Sequence, residues 1–126
     1  MEKIKFEQEF IVNTSTTILY KHLSTPSGLS EWFADNVNIT GDFYTFIWDG
    51  SVEEAKILKS KSREFVRFQW EDDYDTDYYF ELNIQVDALT QQVALIVKDF
   101  AEEDEVEDAK LLWTTTVGKL RRAIGC

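Results

Sequence analysis

The chain has 126 residues, 44% hydrophobic and 14% aromatic, too apolar for disorder even though 29% are charged. Its 24 acidic against 13 basic residues give a net charge of −11, which repels nucleic-acid phosphates and anionic lipid surfaces and argues against both as partners. A chain of this size buries roughly two-thirds of its unfolded surface, and no linker-like stretch divides it, so residues 1–126 are expected to form a single domain.

The stretch MEKIKFEQEFIV alternates charged and apolar residues and lacks the continuous apolar core of a signal peptide, and no apolar run approaches the ~18 residues of a membrane span. The single cysteine, Cys126, offers no internal disulfide, so the expected setting is the cytoplasm, without membrane insertion. From Lys3 to Val12 the period is two, with Ile4, Phe6, Phe10 and Val12 on one face and Lys5, Glu7 and Glu9 on the other, which predicts a half-buried strand. Asn13, Thr14 or Ser15 then caps a short helix carrying Ile18, Leu19 and His22/Leu23, ending near Ser24. A second short helix follows the only proline in TPSGLSEWFAD, capped by Thr25, Ser27 or Ser30, with Leu29, Trp32 and Phe33 on one face.

Residues 36–99 read as a meander of about six strands broken at Gly41-Asp42, Asp49-Gly50, Lys61-Ser62-Arg63 and the acidic stretch after Trp70. Alternation is clearest in YYFELNIQV: Tyr78, Phe80, Leu82, Ile84 and Val86 point to one face and Tyr79, Glu81, Asn83, Gln85 and Asp87 to the wet one. Tyr44, Phe46 and Trp48, then Val66, Phe68 and Trp70, then Leu95 and Val97 repeat the pattern of an antiparallel sheet. From Glu103 to Ile124 the period becomes helical, with Val106, Ala109, Trp113, Val117, Leu120 and Ile124 as the apolar stripe, acids in the first turn and Lys119, Arg121 and Arg122 in the last. The run Thr114-Thr115-Thr116 and Gly118, each poor for a helix, mean that packing on the sheet must hold it; Gly118 itself is assigned no role.

The order β-α-α-(β)6-α resembles the START-like superfamily, the polyketide-cyclase and lipid-transport-like proteins. Within it, Thr25-Pro26 followed by Trp32-Phe33 resembles the branch named for the activator of heat-shock protein 90 ATPase, and Phe68, Trp70, Trp113 and the Asp99-Phe100 pair resemble that branch's small bacterial proteins. The resemblance implies an α+β helix-grip fold: a curved antiparallel sheet of about seven strands grips the C-terminal helix and leaves a cavity between them.

The residues themselves offer little catalytic machinery. His22 is the only histidine, without a visible second part of a triad or metal site, and reads as structural or solvent-facing. Asp73, Asp75 and Asp77 have the alternate spacing that opens a calcium loop, but Tyr78 and Ile84 stand where a glycine and a bidentate glutamate are required. Glu53-Glu54 and Glu102 to Asp104 read as ordinary surface acids, and no phosphate loop, nucleophile elbow or Cys/His cluster occurs, so no catalytic residue, metal ligand or cofactor is assigned.

The aromatic set remains: Trp32, Phe33, Phe46, Trp48, Phe68, Trp70, Phe80 and Trp113 either fill a core, the default for any one ring on a sheet face, or line a pocket, and with Leu82 and Val117 they form the candidate lining of the implied cavity. The leading expectation is a non-catalytic binding domain for a small apolar, lipid-like or aromatic ligand. The alternatives are a chaperone-linked protein-interaction module, its acidic surface meeting a basic partner, and a cyclase- or hydrolase-like enzyme using a pocket acid or a tyrosine such as Tyr78. Homodimerisation is compatible with all three.

Overall fold

A computed structural model describes residues 2–126. Strand β1 (Ile4–Ile11) leads to helices α1 (Thr16–Ser24) and α2 (Pro26–Leu29). Strands β2 (Asn36–Thr40), β3 (Phe43–Trp48), β4 (Ser51–Lys61), β5 (Phe65–Trp70), β6 (Phe80–Val86) and β7 (Val93–Ala101) precede helix α3 (Val106–Ile124). The strands form one antiparallel sheet of seven in the order β1-β7-β6-β5-β4-β3-β2, so the meander is closed by β1 pairing with β7. This is the α+β helix-grip architecture expected from the sequence, and the six meander strands stand where the alternation put them. No described helix is long and apolar enough to cross a membrane.

Capping explains the two small helices. The Ser15 hydroxyl accepts from the Ile18 N–H at 3.1 Å, and Thr25 serves two helices at once, donating to the Lys21 carbonyl and accepting from the Gly28 N–H. Pro26 opens α2 at a position where its missing N–H costs nothing. The second helix is shorter than predicted: it ends at Leu29, and Trp32 and Phe33 lie in the turn beyond it. In a continued helix adjacent residues diverge in direction. The turn instead buries Trp32, whose indole donates to the His22 carbonyl at 2.8 Å, and sets its ring edge-on to Phe33 with centroids 5.5 Å apart.

Register decides which residues share a face, because directly opposed residues project to the same side. The chain of partners Phe46↔Glu53, Ala55↔Trp70, Phe68↔Phe80 and Leu82↔Val97 runs along the face that α1 and α3 cover. Phe46, Phe68, Phe80, Leu82 and Val97 there are fully buried, packed with Leu19, Leu23, Val117 and Leu120 from the helices. Three residues of the predicted apolar faces are exposed instead: Ile4, Val86 and Ile18. Ile4 and Val86 occupy strand ends where nothing packs over them, and Ile18 sits on the solvent side of α1.

The outer face also departs from expectation, since Glu81 is only 3% exposed. Arg67 reaches its Oε1 at 2.8 Å and Lys98 its Oε2 at 3.5 Å, while the Arg67 guanidinium lies 4.1 Å from the Tyr79 ring centroid. A buried carboxylate persists there because it is paired. The turn between β6 and β7 carried no glycine or proline to announce it; it is built by the Asp87 carboxylate, which accepts from the Leu89 and Thr90 N–H groups at 2.8 and 2.9 Å.

Helix α3 is fixed to the sheet at both ends. Gln8 Nε2 donates to the Lys110 carbonyl at 3.1 Å, and Arg121 donates to the Ile11 carbonyl through Nε and Nη2. A Cβ on Gly118 would meet nothing nearer than Arg122 at 3.9 Å, whereas one on Gly28 would sit 2.2 Å from the Lys21 carbonyl oxygen, where α1 and α2 touch. Gly118→Ala should therefore raise stability by up to about 1 kcal/mol, and Gly28→Ala should lower it by about 1–3 kcal/mol through backbone displacement. Urea unfolding of the two variants checks both signs.

Candidate functional site

Where α3 crosses the sheet, the packing leaves a cleft of ≈360 Å³ lined by Phe33, Trp48, Ser51, Glu53, Trp70, Asp99, Leu112, Trp113 and Thr116. Its rim is exposed at Ser51, Glu53 and Leu112, and its inner wall includes the nearly buried Trp113. The floor is built around Phe33, whose ring stacks on Trp113, Phe80 and Trp70 with centroids 5.9, 5.8 and 6.3 Å away. It also meets Phe46 edge-on at 5.1 Å, and its carbonyl accepts from the Trp48 indole at 2.9 Å.

The aromatic candidates thus divide. Phe33, Trp48, Trp70 and Trp113 come together around the cleft. Phe46, Phe68, Phe80, Leu82 and Val117 lie behind them with no exposed surface to speak of, and Trp32 packs under the turn beside His22. Large rings on the face of a sheet fill the interior first, and only those under the gap left by the helix can line a space.

The polar members of the cleft were not singled out from sequence as site residues. Asp99 extends the inward parity of Leu95 and Val97 by one step, so the alternation contained its direction. Its Oδ2 accepts from the Trp113 indole at 2.9 Å and its Oδ1 from the Phe100 N–H at 2.7 Å. Burial pushes the Asp99 carboxyl above the ordinary carboxylate range, against the lowering effects of these two hydrogen bonds and of Lys3. Glu53, read as a surface acid, faces the cleft because it lies opposite Phe46 in the register.

The other chemical candidates lie elsewhere. His22 is buried; its Nδ1 donates to the Ile18 carbonyl at 2.9 Å, and its Nε2 lies 3.2 Å from Glu31 Oε2 without hydrogen-bond alignment. Tyr78 accepts from the Lys3 N–H and packs on Phe100 outside the cleft. Asp73 pairs with Lys3 at 3.2 Å. Among the described residues the one group of three acids close enough to share a cation is the half-buried Glu102 with the exposed Asp104 and Glu105, just before α3, where the neighbouring Glu102 pushes the Glu105 carboxyl up.

A model of the START-like superfamily domain matches residues 1–126. The chain belongs to the START-like superfamily. A Bacteroides fragilis protein solved by solution NMR is 40% identical, with 98% of this chain and 93% of that one covered and a TM-score of 0.70. The Aha1 dimer from Colwellia psychrerythraea has the same fold at 15% identity, covering 95% of each chain with a TM-score of 0.79. DynU16, a putative protein of the dynemicin biosynthetic locus, is 17% identical over 96% of this chain and 47% of its own, with a TM-score of 0.78. No curated protein matches the chain.

Within this START-like domain the raised pKa of Asp99 fixes a sign. The folded carboxyl holds its proton at pH values where the unfolded one, near 3.8, has lost it. Its contribution to stability is therefore complete below that value and lost as pH rises through the folded pKa. Urea unfolding across a pH series should show the wild type gaining on Asp99→Asn as pH falls through this window. In Trp113→Phe, which removes the indole donor, the gain should begin at higher pH.

Proposed function

We propose that this START-like chain is a non-catalytic cytoplasmic binding domain that holds one small, largely apolar ligand between the sheet and α3. The observation that carries the reading is the cleft itself, walled by Phe33, Trp48, Trp70 and Trp113 and bordered by Leu112 and Thr116 of the helix. Its ≈360 Å³ lies near the low end of the roughly 300–1,000 Å³ usual for ligand sites, which suits a single ring system or a short chain rather than a whole two-chain lipid. Apolar walls with a few convergent polar groups are the ordinary chemistry of binding, and the walls here are packed against the core.

A second reading as an enzyme draws on one observation, the buried Asp99 within reach of a ligand, with its proton affinity raised. Binding ranks first because the carboxyl's hydrogen-bond partners are Trp113 and the adjacent backbone, with no nucleophile or second base bonded to it among the described residues.

Native mass spectrometry of the purified chain, alone and after incubation with a library of fatty acids, aromatic acids and aromatic amines, tests the reading. A small-molecule adduct present in the wild type and absent from Thr116→Trp, whose indole fills the mouth, is the expected result. Absence of any adduct, or one indifferent to Thr116→Trp, overturns it. An adduct released with altered mass, and unaltered in Asp99→Asn, would favour the enzyme.

A further inference from the structure

The charged groups of the cleft have one sign. Glu53 and Asp99 line it, and no lysine, arginine or histidine does so among the described residues. The rest of the lining is the rings of Phe33, Trp48, Trp70 and Trp113 with the uncharged Ser51, Leu112 and Thr116. Among the described residues Asp99 has hydrogen-bond donors but no ion pair: Lys3, the cation that acts on it, is itself bound to Asp73 at 3.2 Å. The contrast with the outer face of the sheet is direct. There the buried Glu81 carries both Arg67 and Lys98, so the sequence supplies counter-charges where a carboxylate is merely structural.

Ligand chemistry follows from this lining. A carboxylate or phosphate ligand would bring a third negative charge into a partly dry site with nothing to offset it. A neutral apolar ligand would bury Asp99 further and leave an ionised form without a partner. A positive charge gains from both carboxylates and from the negative faces of indole rings, tryptophan being the strongest cation–π partner. The net charge of −11 also favours the approach of a cation.

We propose that the cleft selects an organic ammonium, a primary or quaternary amine on an aryl or short alkyl body, its charge offset by Asp99 and Glu53 and its body packed on Trp48, Trp70 and Trp113. This rests on the reading of the cleft as a small-ligand site and narrows the ligand class.

Three probes of similar shape separate the possibilities: 2-phenylethylammonium, 2-phenylethanol and 3-phenylpropionate, each titrated into the ¹⁵N-labelled chain while the indole N–H resonances are followed by NMR. The ammonium should shift the indole signals of Trp48, Trp70 and Trp113 saturably and bind about tenfold or more tightly than the alcohol, with the propionate weakest. Glu53→Gln, at an exposed rim position that the fold does not need, should weaken the ammonium several-fold and leave the alcohol unchanged. Asp99→Asn should weaken it further if its spectrum retains the folded dispersion. Equal or tighter binding of the alcohol or the propionate, or ammonium binding unaffected by Glu53→Gln and Asp99→Asn, overturns the ammonium preference while leaving a small-ligand site in place. Failure of all three probes to move the cleft indoles, together with the absence of an adduct in native mass spectrometry, overturns the small-ligand reading as well.

Discussion

A carboxylate on the apolar face of a sheet must find a donor or leave the fold. Asp99 finds Trp113, and that hydrogen bond ties the centre of the C-terminal helix to β7 at the point where the sheet and helix separate. Gln8 and Arg121 hold the helix farther along, through backbone carbonyls. The three contacts together set how far α3 stands off the strands, and the gap they leave between Asp99 and the β3–β4 hairpin is the cleft. Tighter closure would bury Asp99 completely, at the cost of desolvating a group whose charge is offset by two hydrogen bonds and the field of Lys3.

The rings obey the same constraint. Phe33 enters from the turn after α2 and takes the place that a closer helix would have filled, stacking on Trp113 from one side and meeting Phe46 edge-on from another. Behind it Phe46, Phe68 and Phe80 have no exposure and supply burial, each contributing about 1.5–3 kcal/mol relative to an exposed side chain. In front of it Trp48 and Trp70 keep partial exposure. Stability and site are therefore built from one continuous aromatic layer: each ring on the wall leans on a ring in the core.

The two faces of the sheet treat acids differently. On the outer face Glu81 is buried under Arg67 and Lys98, a neutralised arrangement suited to fixing the strand layer. On the inner face Asp99 and Glu53 stand beside an open space without a basic neighbour in its lining. Asp99 has hydrogen bonds and the field of Lys3 but no ion-pair partner among the described residues, which leaves room for a ligand's charge.

Periodicity determined the order of elements in this START-like chain, and the resemblance supplied how they pack: alternation gave the strands, the shift to helical spacing gave α3, and punctuation by Gly41, Gly50 and Pro26 placed breaks between them. The turn at Asp87 escaped because a side-chain carboxylate, not a glycine, shapes it. Alternation also carried the inward direction of Asp99, two residues beyond Val97, yet an aspartate at the end of a strand gives no sign by itself of a partner in a helix 14 residues on. Glu53 was harder still, because its face depends on the register Phe46↔Glu53, a property of two strands. The sequence could therefore nominate the rings as a class. Only the tertiary structure decided which of them fill the core and which wall a cleft, because that division depends on the distance at which the helix comes to rest.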